Sequence, residues 1–120
     1  MAKIFVVDDD QVYCQMVQYW LEQQGYEIEV CENGGKAFDK MQEENYDMVL
    51  IDYFLPTLLG DEVCERIREN ENYRTKPIVI MTSFTDYTVD YFKQKGATDV
   101  IYKPIDKQAL IEKVAEFLPI

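Results

Sequence analysis

Four short apolar runs in this 120-residue chain each end in residues able to do chemistry. Lys3-Ile4-Phe5-Val6-Val7 runs into Asp8-Asp9-Asp10, Val49-Leu50-Ile51 into Asp52, Ile80-Met81 into Thr82-Ser83, and Val100-Ile101-Tyr102 into Lys103-Pro104. Carboxylates gathered in one cleft repel, and some of their pKa values rise unless a cation neutralises them. Oxygen donors without histidine or thiolate select a hard cation. Magnesium fits best, because it takes octahedral oxygen coordination, keeps several waters and needs only one or two carboxylates. The chain has no histidine, which removes the commonest general base, the commonest metal ligand and the usual triads. Phosphoryl transfer to a carboxylate needs an attacking oxygen, a bridging cation and donors for the spreading equatorial charge. Every part has a candidate: Asp52 as nucleophile and metal ligand, Asp9 as the main direct ligand, Asp8 as a ligand through water, the Phe54 carbonyl as another, Lys103 as cationic partner and Thr82 as hydroxyl donor. Asp10 reads as a helix cap.

These residues can meet only if the runs are strands ending on one edge. Residues 3–8, 27–31, 46–52, 77–82 and 99–102 are short, apolar and rich in β-branched side chains, as strands buried on both faces are. Between and after them, apolar residues recur at helical spacing over 11–24, 35–44, 61–70, 86–95 and 107–118, with Asp10 available to open the first helix and Gly25 and Gly96 to close the first and fourth. Five strand–helix units imply a doubly wound α/β fold, a parallel sheet covered on both faces, because right-handed crossovers place helices there. In such a sheet the ligand site lies at the carboxyl ends of the strands, where all the candidates fall.

One domain spanning 1–120 is expected, with no output domain after Pro119-Ile120. No stretch approaches the roughly 20 apolar residues of a membrane span and none reads as a signal peptide, so a cytoplasmic protein is expected. The charge of -11, from 23 acidic and 12 basic residues, opposes attraction to nucleic acid or anionic membrane. Cys14, Cys31 and Cys64 are odd in number and set in apolar segments, as reduced, packed thiols are.

Over essentially its whole length the chain resembles response-regulator receivers, the chemotaxis-regulator-like switches of two-component signalling. The resemblance rests on Val6-Val7-Asp8-Asp9-Asp10, on Val49-Leu50-Ile51-Asp52 followed by Leu55-Pro56 and Gly60, on Ile80-Met81-Thr82-Ser83, and on Lys103-Pro104, in order and at the family's spacing. It implies a flavodoxin-like sheet of order 2-1-3-4-5, a cis bond before Pro104, and Mg2+-dependent phosphorylation of Asp52 by a sensor histidine kinase or histidine phosphotransfer protein, with a downstream effector protein reading the result. It also implies that the Thr82 hydroxyl moves toward the phosphate. The family's inward-rotating aromatic has no counterpart here: Val100 stands at that position, so a different rearrangement is expected to carry the signal. Tyr87, Tyr91 and Tyr102 are expected to contribute to the output face, and Phe54 and Phe84 to line access to the acyl phosphate.

The alternative reading is a pseudo-receiver that is never phosphorylated and serves as a protein-interaction module. A turnover enzyme is not expected: an aspartyl-phosphate phosphatase needs a cap over its substrate, and no insertion here is large enough. A flavin-binding domain is not expected either, because this chain lacks a phosphate-cradling loop rich in Gly, Ser and Thr after the first strand and carries there an acidic triplet that would repel the cofactor phosphate.

Overall fold

The computed structural model describes residues 1–119. Five parallel strands form one sheet in the order β2-β1-β3-β4-β5, with β1 at Lys3–Val7, β2 at Glu27–Cys31, β3 at Met48–Asp52, β4 at Ile78–Thr82 and β5 at Asp99–Tyr102. Each strand is followed by a helix: α1 at Gln11–Glu22, α2 at Gly34–Glu43, α3 at Gly60–Ile67, α4 at Val89–Gln94 and α5 at Lys107–Phe117. The doubly wound α/β expectation and the order 2-1-3-4-5 both hold.

Alternation along the strands divides the core in two. Phe5, Val7, Val49, Ile51, Ile78 and Ile80 face one side, where they pack with Ala37 and Met41 of α2, Val63, Cys64 and Ile67 of α3, and Phe92 of α4. Ile4, Val6, Met48, Leu50, Val79 and Met81 face the other, against Cys14, Val17 and Leu21 of α1 and Leu110 and Val114 of α5. Covered on both faces, β3 and β4 are buried at every position, which is why they read as unbroken apolar runs. The three cysteines are free and buried, as expected.

Four helices are shorter than their periodicity predicts: α1 stops at Glu22 instead of 24, α5 at Phe117 instead of 118, and α3 and α4 change for local reasons. α3 stops at Ile67 instead of continuing to 70, because Asn70 turns the chain into a 3-10 turn at Glu71–Tyr73, its side chain accepting from the Asn72 N–H at 3.0 Å. α4 begins at Val89 and not near 86, because Thr88 is the residue that caps it, accepting from the Tyr91 N–H at 3.1 Å. The segment ahead of that cap stays a loop above the strand ends, and it bears directly on the site.

Candidate functional site

Asp8 and Asp9 lie just past β1, Asp52 closes β3, Thr82 closes β4, and Lys103 follows β5. The strand register sets Ile51 beside Val7 and Asp52 beside Met81, so the ends of β1, β3 and β4 are level and their polar residues share one edge. One carboxylate oxygen from each of Asp8, Asp9 and Asp52 lies within 4.8 Å of the others. Asp8 and Asp52 are buried, whereas Asp9 is exposed.

The remaining contacts divide the labour among these groups. Lys103 Nζ donates to Asp8 Oδ2 at 2.6 Å and stands 3.5 Å from Asp52 Oδ2. The other Asp8 oxygen accepts from the Asp10 N–H at 3.0 Å, and Asp52 Oδ1 accepts from the Tyr53 N–H at 2.8 Å. Asp10 is indeed a cap: its carboxylate accepts from the Tyr13 N–H at 3.1 Å and opens α1. Lys103 is anchored by its own backbone, whose N–H donates to the Thr82 carbonyl at 2.8 Å, and the Lys103-Pro104 peptide is cis. The buried Thr82 hydroxyl accepts from the Phe84 N–H at 3.0 Å, tying the loop after β4 to the site. Close approach requires glycine at 60, where a Cβ would come within 2.1 Å of the Asp52 carbonyl oxygen.

Burial, and then the charge of Asp8, push the Asp52 carboxyl up to about 6, against the opposing pull of Lys103 and the Tyr53 N–H. Burial alone would lower Lys103, but its bond to Asp8 and the two carboxylate charges outweigh that, so its pKa is raised and it remains an ammonium ion. One lysine therefore serves two buried carboxylates with a third at the rim. This all-oxygen donor set is short of positive charge, which fits a hard divalent cation such as Mg2+ and gives a soft metal nothing to bind.

Beside the pocket lies a continuous group of aromatic rings. Phe54 and Phe84 meet edge-on at 5.0 Å, Tyr53 stacks on Phe84 at 5.1 Å, and Tyr87 stacks on Tyr91 at 3.9 Å. Tyr91 donates from its hydroxyl to the buried Asp61 at 2.9 Å. Val100 is packed into the core on this side, and Tyr102 is partly exposed, its hydroxyl 3.4 Å from the Tyr87 carbonyl. Three participants escaped the sequence reading. Tyr53 and Asp61 flank Asp52 and Gly60, so adjacency to a candidate was a usable signal; Tyr13 approaches Lys103 across 90 positions, and no local pattern announces that.

A family model for the response regulator receiver domain matches residues 4–115. The response regulator ArlR of Staphylococcus saprophyticus is 33% identical over 119 residues, covering 98% of this chain and 53% of that protein. The chain spans about half the length of the curated relatives ArlR and ResD. Among solved structures, the chemotaxis response regulator CheY4 of Vibrio cholerae superposes with a TM-score of 0.91 at 30% identity, covering 98% of each chain. The receiver domain of the sensor histidine kinase PA1611 from Pseudomonas aeruginosa, solved with a magnesium ion coordinated in its active-site cleft, gives 0.89 at 26% identity, covering 98% of this chain and 97% of that one.

Proposed function

This chain belongs to the response regulator receiver domain family, and on that premise we propose that Asp52 accepts a phosphoryl group in a Mg2+-dependent step and that its phosphorylation changes partner binding. The observation that carries the proposal is the meeting of Asp8, Asp9 and Asp52 oxygens within 4.8 Å of one another beneath a single ammonium group. An Asp52 carboxylate oxygen attacks phosphorus while the bond from phosphorus to the donor's imidazole nitrogen breaks, and the leaving nitrogen keeps the electron pair. Lys103 neutralises an equatorial oxygen, and the Thr82 hydroxyl donates to another. Asp9 would hold the cation directly and Asp8 through water, with Asp52 and the Phe54 carbonyl completing the protein's share. Mg2+ bound there would supply neutralisation of the negative charge brought together in the transfer.

The donor is a sensor histidine kinase or histidine phosphotransfer protein, and the recipient of the signal is an effector protein in the cytoplasm. A net charge of -11 supports a protein partner over nucleic acid or an anionic membrane; among the described residues no helix is long and apolar enough to cross a membrane. Replacing the Asp52 carboxylate by an acyl phosphate of charge about -2 biases an existing equilibrium, with Tyr87, Tyr91 and Tyr102 on the face that changes. A hydrogen-exchange footprint of the bound effector falling wholly outside residues 85–117 would remove that face from consideration. The pseudo-receiver alternative finds no support, since the full set of candidate groups is present and the relatives are response regulators.

The decisive experiment follows intact mass after incubation with acetyl phosphate, with Mg2+ or with chelator, for the wild type and Asp52→Asn. One phosphoryl group should appear, and only with both Mg2+ and Asp52. No gain by a folded wild type, or equal gain by Asp52→Asn, rejects the proposal.

A further inference from the structure

Lys103 has a third neighbour. Its Nζ lies 4.2 Å from the centroid of the Tyr13 ring, and the Lys103 side chain is only 19% exposed. Tyr13 is held there from two directions. Its backbone N–H is bonded to the Asp10 carboxylate in the first turn of α1, and its ring packs against the core on the α1–α5 side of the sheet.

The two carboxylates that hold the ammonium are the ones whose charge changes during the reaction. A divalent cation at the acidic cluster would offset negative charge at Asp8 and Asp52 and repel a neighbouring ammonium group; phosphorylation turns the Asp52 carboxylate into an acyl phosphate and moves the charge outward. The negative face of an aromatic ring is unaltered by either event, and its attraction for a desolvated cation persists. We propose that Tyr13 is a positioning residue for phosphoryl transfer, whose ring keeps the Lys103 ammonium over the pocket while its carboxylate partners are being neutralised. This rests on the phosphoacceptor reading of Asp52.

The Tyr13 hydroxyl offers a clean control. It is buried with no hydrogen-bond partner among the described residues, so Tyr13→Phe keeps the ring face and removes an unsatisfied polar atom. Tyr13→Leu keeps apolar volume and removes the face. The test measures the phosphorylation rate with acetyl phosphate at saturating Mg2+, and separately the Mg2+ affinity from amide chemical shifts of Asp8 and Asp9. Tyr13→Leu should slow phosphorylation roughly tenfold, the rate equivalent of one desolvated cation–π contact, with Mg2+ affinity within about twofold, and Tyr13→Phe should restore the rate. A merely structural role would lower rate and affinity together, and that result overturns the inference. So does an unchanged rate in Tyr13→Leu, or an equal loss in Tyr13→Phe, which would transfer the role to the hydroxyl. The wild type provides a measurement independent of variant folding: the Lys103 ε-methylene protons should be shifted upfield by the ring and stay so when Mg2+ binds, whereas their return to ordinary positions overturns the inference. If the wild type fails to take a phosphoryl group on Asp52, the parent reading falls and this one falls with it; if it does so while Tyr13→Leu matches it, only the role of Tyr13 is lost.

Discussion

The two ends of the sheet each gather carboxylates around one lysine and behave in opposite ways. At the amino end Lys3 Nζ lies 3.7 Å from Glu27, 3.6 Å from Glu29 and 3.3 Å from Glu44. At the carboxyl end Lys103 Nζ lies 2.6 Å from Asp8 and 3.5 Å from Asp52. The Glu27 side chain is 56% exposed and Glu44 40%, and Lys40 gives Glu29 a second cation at 3.3 Å. The Asp8 side chain is 0% exposed and Asp52 12%. Water screens the first cluster, so its carboxylates cost little and Lys3 is simply raised by its hydrogen bond to Glu44. In the second, burial turns the same composition into a charge imbalance, and Asp52 is pushed up to about 6. Solvent access, more than the inventory of charges, separates a solvated ion-pair cluster from a cation site.

Removing the lysine at each end should expose the contrast most strongly. Lys103→Met leaves Asp8 buried without its ion-pair partner and is expected to cost roughly 3 kcal/mol in denaturant unfolding; Lys3→Met should behave as an ordinary surface substitution. Comparable losses at both ends would erase the distinction.

Asp52→Asn should stabilise the metal-free protein, by about 3 kcal/mol at pH 7. The sign follows from a folded pKa raised to about 6 from the ordinary 3.8. A raised carboxyl pKa contributes stability that is full below the ordinary value and is lost as pH rises through the folded one. The advantage of the Asn variant should therefore shrink as pH falls from 7 toward 4. An advantage that stays constant with pH would show that Asp52 is not the titrating group.

Mg2+ at tenfold excess over its Kd should stabilise the wild type by about 1.4 kcal/mol. At the same Mg2+ concentration Asp9→Asn should gain little, while Glu27→Gln at the far end should gain as much as the wild type. Equal gains for both variants in thermal melts would move the cation away from the acidic triplet.

The smallest effect concerns water. Replacing Phe54 and Phe84 together with serine should speed loss of the phosphoryl group several-fold, equivalent to about 1 kcal/mol of barrier. The measurement is the decay of phosphorylated mass after donor removal, and an unchanged decay rate would mean that these rings do not restrict the hydrolytic water.

Much of this was legible along the chain because it is local. A strand buried on both faces has to be apolar throughout, so β1, β3 and β4 declare themselves, and a doubly wound sheet brings their polar ends to one edge. Asp10 announces its cap through spacing alone, since the N–H it serves lies three residues on. The start of α4 was misread because Asp86 and Thr88 are both good cap residues, and nothing within the segment chooses between them. Other features depend on pairs that meet only after folding. The burial that raises Asp52 and the screening that spares Glu27 are properties of the assembled sheet. The Tyr91–Asp61 hydrogen bond joins positions 30 residues apart, and the Tyr13 ring meets Lys103 because α1 and the end of β5 border the same pocket. Side-chain chemistry and its periodicity are written residue by residue, whereas dielectric environment and long-range contact arise from the packed chain, and here they distinguish a cluster of surface charges from a place where a phosphoryl group can be held.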